Sequence, residues 1–94
     1  MAIDLKSIEK IAKALGDKNR LMILAHITKK GGSAQCAEIN DVIDLSQPSV
    51  SHHVKILVEA GLVEPQKEGR NLKYTLNEAV LDNFLKFLNH LRND

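Results

Sequence analysis

The stretch that decides the fold spans residues 45–57 and reads LSQPSVSHHVKIL. Ser46 is a favourable N-cap, and the proline shortly after it is tolerated in a first helical turn, where its missing N–H has no partner to lose. Val50, Val54 and Leu57 recur at three- and four-residue steps, which is the spacing of one buried helix face. The stretch therefore predicts an amphipathic helix whose opposite face is polar.

The polar face of this helix has the chemistry and the size to read bases. A helix about 10–12 Å across fills the major groove, which is about 12 Å wide. Gln pairs bidentately with adenine, whereas Ser and His each donate and accept hydrogen bonds. We therefore expect the helix to contact double-stranded DNA through Gln47, Ser49, Ser51, His52 and Lys55. The adjacent His53 is expected to be packed and hydrogen-bonded within the fold, because neighbouring helical side chains point about 100° apart.

Three helices are expected before this one, over residues 4–15, 17–30 and 33–43. Asp17 and Ser33 are the expected N-caps of the second and third helices, because a short oxygen-bearing side chain accepts from otherwise unpaired N–H groups. Glycines end the first two helices. The inward stripe of the second helix is expected at Leu21, Leu24, Ala25 and Thr28.

A β-hairpin is expected after the base-reading helix, which Gly61 closes. Its strands cover residues 62–66 and 72–76, and Gly69 supplies the turn in the tip between them. The hairpin offers three cations to DNA phosphates: Lys67, Arg70 and Lys73.

The last helix begins after the cap Asn77 and runs to about residue 92. The predicted fold is therefore mainly α with a small β-hairpin, in the order ααααββα, which is that of a winged helix-turn-helix. Residues 1–94 are expected to form this single DNA-binding domain.

The last helix carries two adjoining apolar stripes, which is more than one subunit needs to cover. A chain of 94 residues buries a modest share of its surface, so a second subunit would add stability. We expect a homodimer with an interface at Leu5, Ile8, Val80, Phe84, Phe87, Leu88 and Leu91. The alternative is that the last helix only completes the core of a monomer.

Composition excludes several classes of protein. The net charge is +1, so DNA binding depends on local placement of charge. The aromatic residues are Tyr74, Phe84 and Phe87, too few for the stacking platform of a single-strand binder. There is neither a membrane-length apolar run nor a signal-peptide pattern, so a cytoplasmic protein without a membrane partner is expected. Cys36 is the single cysteine, which rules out an internal disulfide.

Several separated segments together resemble the ArsR/SmtB-type repressors. Residues 14–24, ALGDKNRLMIL, look like that family's ALGDPTRLRIL signature, with Lys18 and Asn19 in place of proline and threonine. Residues 45–57 are similar to its LSQPxVSHHLxxL recognition helix, and residues 59–63, EAGLV, match its exit from that helix. The wing segments KEGR and YTL also match. The resemblance implies a homodimeric repressor, paired through its first and last helices and released from operator DNA by an inducer whose identity the sequence leaves open.

The two metal sites common in that family are not matched by these residues. The cysteines of its Cys-Val-Cys-Asp site correspond to Gln35 and Ala37, with Cys36 at the spacer position, and one soft ligand does not make a thiolate site. The site on the last helix corresponds to four positions of which only the third holds a usual ligand: Asn77, Ala79, His90 and Asn93. We therefore expect neither a resident metal nor a cofactor.

The function expected from the sequence is repression of transcription by a homodimer on a palindromic operator. The alternative is a winged-helix module that contacts proteins instead of DNA. An enzyme is not expected, because no motif places a general base beside Cys36 or a serine. Cys36 is expected to be a small buried residue, with a redox role as the alternative.

Overall fold

The computed structural model describes residues 4–93. Within this range the chain forms five helices and a three-stranded antiparallel sheet with the order β1-β3-β2. The elements are α1 (Leu5–Leu15), α2 (Lys18–Lys29), β1 (Ser33–Gln35), α3 (Cys36–Val42), α4 (Gln47–Glu59), β2 (Val63–Glu68), β3 (Asn71–Leu76) and α5 (Glu78–Asn93). The winged helix-turn-helix predicted from the sequence is confirmed, with α4 in the place of the recognition helix and β2–β3 as the wing.

The strand β1 corrects the prediction of a helix that starts after Ser33. Ser33 pairs with Thr75 of β3, and their hydroxyl oxygens lie 2.9 Å apart. Ala34 between its two half-buried neighbours is 3% exposed, which is the alternation of a strand. The helix α3 begins only at Cys36, and Gln35 at its N-cap makes no side-chain cap hydrogen bond. The error arose because the partner strand is distant in sequence, so local patterns contain no signal of the pairing.

The hydrophobic core lies between the four helices α1, α2, α3 and α4 and the inner face of the sheet. Val50, Val54 and Leu57 of α4 are buried as predicted. Of the predicted stripe of α2 only Leu24 is buried, whereas Leu21 is 48% exposed and Ala25 and Thr28 are exposed as well. Ile23 and Ile27 are fully buried instead. The buried set is Ile11, Ala14, Ile23, Leu24, Ile27, Ala34, Ile39, Ile43, Val50, Val54, Leu57, Leu62 and Val63.

The predicted caps of α2 and α4 are present. The Asp17 carboxylate accepts from the N–H groups of Arg20 and Asn19 at 3.2 and 2.8 Å. These hydrogen bonds, that from Arg20 first, hold the pKa of the Asp17 carboxyl below its ordinary value, because they stabilise the ionised form. Ser46 caps α4 by accepting from the N–H of Ser49 at 3.4 Å. Ser46, the predicted N-cap, therefore marks the beginning of α4.

The end of α4 is closed by a Schellman motif. Leu62 N–H donates to the carbonyl of Leu57 at 3.0 Å, and Gly61 N–H donates to the carbonyl of Val58 at 2.9 Å. Gly61 has φ +81°, in the left-handed region that side chains rarely adopt. The chain therefore leaves the helix and enters β2 through a glycine.

We expect Gly61→Ala to lower the free energy of unfolding by about 1–2 kcal/mol, the cost of a left-handed conformation for a residue with a Cβ. A Cβ at this position would lie 3.5 Å from Val80 Cγ2, which is an ordinary contact, so the cost is one of backbone strain. Urea denaturation at a fixed protein concentration measures the effect. Gly16→Ala is the matched control, because Gly16 has φ −85° and needs no glycine. Equal losses in the two variants would contradict the prediction.

Candidate nucleic-acid interface

The outer face of α4 is polar and accessible. Gln47, Ser49, Ser51, His52 and Lys55 are all exposed, whereas the valines and the leucine of the opposite face are buried. The short α3 lies before α4 and packs against it, which is the arrangement of a helix-turn-helix. The helix therefore presents to solvent side chains that can donate and accept hydrogen bonds at base edges.

The hydroxyl of Ser49 is oriented by the residue that caps the helix. Ser46 Oγ donates to Ser49 Oγ at 3.0 Å and accepts from Ser49 N–H. Since its oxygen already accepts this bond, the hydroxyl proton of Ser49 remains available to an external acceptor. The first turn of α4 therefore holds a directed donor at the end of the helix that enters a major groove.

The two adjacent histidines of α4 have different environments. His52 is exposed, whereas His53 is half-buried and its Nδ1 lies 3.2 Å from Nη1 of Arg20. The expectation of a packed, hydrogen-bonded His53 is confirmed. Their ring centroids are 5.9 Å apart and the planes are tilted by 54°. The two rings thus act in different directions, one toward the solvent and one toward α2.

The wing carries its cations in two different settings. Lys67 and Arg70 are exposed near the tip, where Gly69 has φ +63° and the turn is tighter than predicted because β2 reaches Glu68 and β3 begins at Asn71. Lys73 is more covered, and its Nζ lies 3.0 Å from Oε1 of Glu68.

Lys73 also lies on the outer face of the sheet. It pairs with Gln66 and with Gln35, and directly paired residues in an antiparallel sheet share a face. Ala34, which is buried, alternates with Gln35 and therefore belongs to the inner face. Lys67 and Arg70 are thus more accessible than Lys73, and contact with phosphate by any of the three stays a prediction.

A groove of about 340 Å³ lies between α3, α4 and the inner face of the sheet. Ser51 and Lys55 of α4 line it together with Cys36, whose sulfur lies 3.9 Å from Nδ2 of Asn40. Cys36 is partly exposed, so the expectation of a buried cysteine is wrong. Burial, together with the neighbouring Cys36, raises the pKa of the Tyr74 phenol, which lines the same groove.

A cluster of polar side chains not anticipated from the sequence joins α2 to α3. His26 Nε2 and Lys30 Nζ lie 3.6 and 3.7 Å from Oε2 of Glu38. Glu38 follows Cys36 closely, but residues 4–93 contain no group of three His, Cys, Asp or Glu side chains placed to hold a metal ion. Nor does any helix of this described range have the length and hydropathy to cross a membrane.

The candidate dimer face divides into exposed and packed residues. Leu5, Leu88 and Leu91 are 65%, 41% and 61% exposed. In contrast, Val80 and Phe84 pack against the core of their own subunit, and Ile8 and Phe87 are half-buried. Leu85, absent from the predicted interface, is 54% exposed. The apolar surface that a second subunit would cover is therefore centred on the leucines of α5.

Comparison with known proteins agrees with this geometry. A family model described as a helix-turn-helix domain matches residues 15–66. The arsenical resistance operon repressor of Staphylococcus aureus is 37% identical over 84 residues, which cover 89% of this chain and 79% of that protein.

Solved structures show the same fold. An ArsR-like transcriptional regulator from Rhodococcus sp. RHA1 superposes with a TM-score of 0.82, at 23% identity, over 93% of this chain and 80% of that one. A homodimeric winged helix-turn-helix DNA-binding domain from Mycobacterium bovis gives a TM-score of 0.74 at 25% identity, over 94% of this chain and 81% of that one.

The fold and the exposed polar face of α4 define a winged helix-turn-helix regulator of transcription. Within that class, the chain belongs to the ArsR family.

Proposed function

We propose that the chain is a transcriptional repressor that binds a palindromic operator as a homodimer. The observation that carries the proposal is the helix α4, whose inward residues are buried while its outward residues are exposed and rich in hydrogen-bonding groups. One subunit places α4 in a major groove, and its partner places the same helix in the next groove, about 34–36 Å away. A relative that is an operon repressor supports the proposal.

The residues of the site have separate roles in this proposal. Gln47, Ser49, Ser51 and His52 contact base edges, because they lie on the outer face of α4 near its beginning. Lys55 and the wing residues Lys67, Arg70 and Lys73 contact phosphates, which anchor the protein without reading sequence.

The dimer forms through the apolar surface of α5 together with α1. The proposed contacts are Leu5, Ile8, Val80, Phe84, Phe87, Leu88 and Leu91, with Leu85 added because it is exposed on the same helix. The homodimeric domain from Mycobacterium bovis supports this assembly. Residues 1–94 serve as one domain in the cytoplasm, without a cofactor, and an inducer releases the protein from DNA.

Selection of bound sequences from a random duplex pool tests the proposal. We expect an inverted-repeat site whose affinity falls as salt rises, since binding to phosphates releases counterions. Failure to enrich any sequence, with no salt-dependent binding to duplex DNA, would instead favour the alternative of a module that contacts proteins.

Three alanine variants distinguish contacts to base edges from contacts to phosphates. Gln47→Ala and His52→Ala are each expected to cost about 1–3 kcal/mol on the selected operator and much less on random duplex. Arg70→Ala is expected to weaken binding to both duplexes alike and to reduce the salt slope by about one unit.

Titration of the three variants on both duplexes at several salt concentrations gives the comparison. Lys10→Ala removes an exposed cation of α1 and is the charge-matched control for Arg70→Ala. If Gln47→Ala and His52→Ala keep the full preference for operator, α4 is not the base-reading helix.

A further inference from the structure

We propose that Arg20 is a positioning residue that holds α4 against the end of α1 and so sets the orientation in which α4 reads DNA. This inference rests on the repressor function proposed above. The Arg20 side chain starts from α2 and contacts both other helices. Its Nε donates to the carbonyl of Ala14 at 2.7 Å and its Nη2 to the carbonyl of Lys13 at 3.0 Å, while Nη1 lies 3.2 Å from Nδ1 of His53.

Two of the three contacts attach the Arg20 side chain to the C-terminal end of α1. Lys13 and Ala14 belong to the last turn of Leu5–Leu15, whose carbonyl groups lack an N–H donor in a following turn. The Lys13 carbonyl also accepts from the N–H of Gly16 at 3.2 Å. A guanidinium supplies donors to these carbonyls and a positive charge that is favourable at this end of the helix dipole. Arg20 therefore completes the hydrogen bonding of α1 from outside the helix.

The third contact, with His53, attaches Arg20 to α4. A guanidinium only donates, so Nδ1 of His53 is the acceptor of this hydrogen bond. His53 is half-buried and directly follows the exposed His52. If α4 moves as a rigid body, holding the His53 ring limits rotation of the whole helix about its axis. The directions of His52 and of Ser49, one turn before His53, are then limited as well.

Asp17 lies at the same junction of three helices. Its Oδ1 accepts from Arg20 N–H at 3.2 Å and lies 3.8 Å from Nδ1 of His53. The same carboxylate thus caps α2 and lies beside the link to α4. Since α1 also carries the exposed Leu5 of the proposed dimer face, the junction connects the subunit contact to the DNA-reading helix.

The geometry favours positioning over a phosphate contact for Arg20. All three guanidinium nitrogens have partners within the chain, and the residue is partly buried. An arginine that anchors a phosphate would be expected to direct its paired N–H groups outward, as a planar fork. Arg20 therefore acts on DNA recognition through His53 and not by touching DNA.

Four variants and one charge control, made in the whole chain of 94 residues, test the role. Arg20→Gln and His53→Leu each break the link and are expected to lower the preference for operator over random duplex on the order of tenfold. His53→Asn keeps an acceptor near the position of Nδ1 and is expected to restore most of the preference. The double variant Arg20→Gln/His53→Leu is expected to lose no more than either single variant, because all three lack the same contact. Lys18→Gln removes an exposed cation of the same helix and controls for charge.

The outcomes distinguish this inference from the proposed function. Unmodified protein without any operator preference would overturn the repressor function itself. A preference that survives Arg20→Gln and His53→Leu, with only the melting temperature lowered, would show that Arg20 is a structural cap alone. A reduced salt slope with equal losses on both duplexes would make Arg20 a phosphate contact. If Arg20→Gln fails to fold, the comparison of His53→Leu with His53→Asn still decides the question.

Discussion

Placing glutamate at both Leu88 and Leu91 is expected to convert the proposed dimer into monomers and to lower affinity for a two-half-site operator by about 10²–10⁴-fold. Both leucines are exposed on α5, so the change leaves the core of the subunit intact. The two glutamates on each side of a symmetric interface repel those of the other subunit. The interface also loses the burial of the leucines that would hold it together. The affinity falls because the second half-site is no longer bound by a tethered subunit.

Sedimentation equilibrium and titration of two duplexes measure this effect. The variant is expected to bind a single half-site as tightly as an unmodified subunit does, because α4 is unchanged. Asn83→Glu/Asn89→Glu adds the same charge at exposed polar positions of α5 and is the matched control. A monomeric unmodified protein, or a control that dissociates equally, would contradict the proposed interface.

Leu57→Ala is expected to lower the free energy of unfolding by about 2–5 kcal/mol, the range for removing a large buried aliphatic side chain. Leu57 has no accessible surface and lies on the inward side of α4, so its loss leaves a cavity beneath that helix. The expected loss is a large share of the total stability of small domains, which is about 5–15 kcal/mol.

Urea denaturation at one protein concentration provides the comparison, since stability of a dimer depends on concentration. Leu45→Ala is the matched control, because Leu45 is 38% exposed in the turn before α4. We expect the control to change stability by no more than about 0.5 kcal/mol. A similar loss in both variants would show that α4 is not held by its inward face.

The recognition helix was predictable because its signals are local and agree with one another. Ser46 caps it, the proline in its first turn is harmless, and Val50, Val54 and Leu57 share one face at helical spacing. The outward residues then follow from geometry, which is why the candidate DNA-contacting residues of α4 all prove to be exposed. The hairpin was similarly predictable from Gly69 and its flanking strands.

The remaining features depend on contacts between distant parts of the chain. In α2, the series beginning at Leu21 and the series through Ile23 and Ile27 both have helical spacing, and only packing decides which is buried. The strand β1 exists because β3 offers it an edge. Arg20 lies in the segment that resembles the family signature. Its contact with His53 joins residues 33 positions apart in sequence, so the contact could be found only in the folded structure.

The sheet order β1-β3-β2 has a consequence for solubility, because it determines which backbone edges stay open to other chains. β3 is paired on both sides, β1 is only three residues long, and β2 forms the longer edge. Proline at position 65 removes one N–H from that edge, and Glu64, Lys67 and Glu68 place exposed charge along it. Open edges built in this way resist strand addition and aggregation. The wing can therefore project from the protein without recruiting the wing of another molecule, which leaves association to the helices.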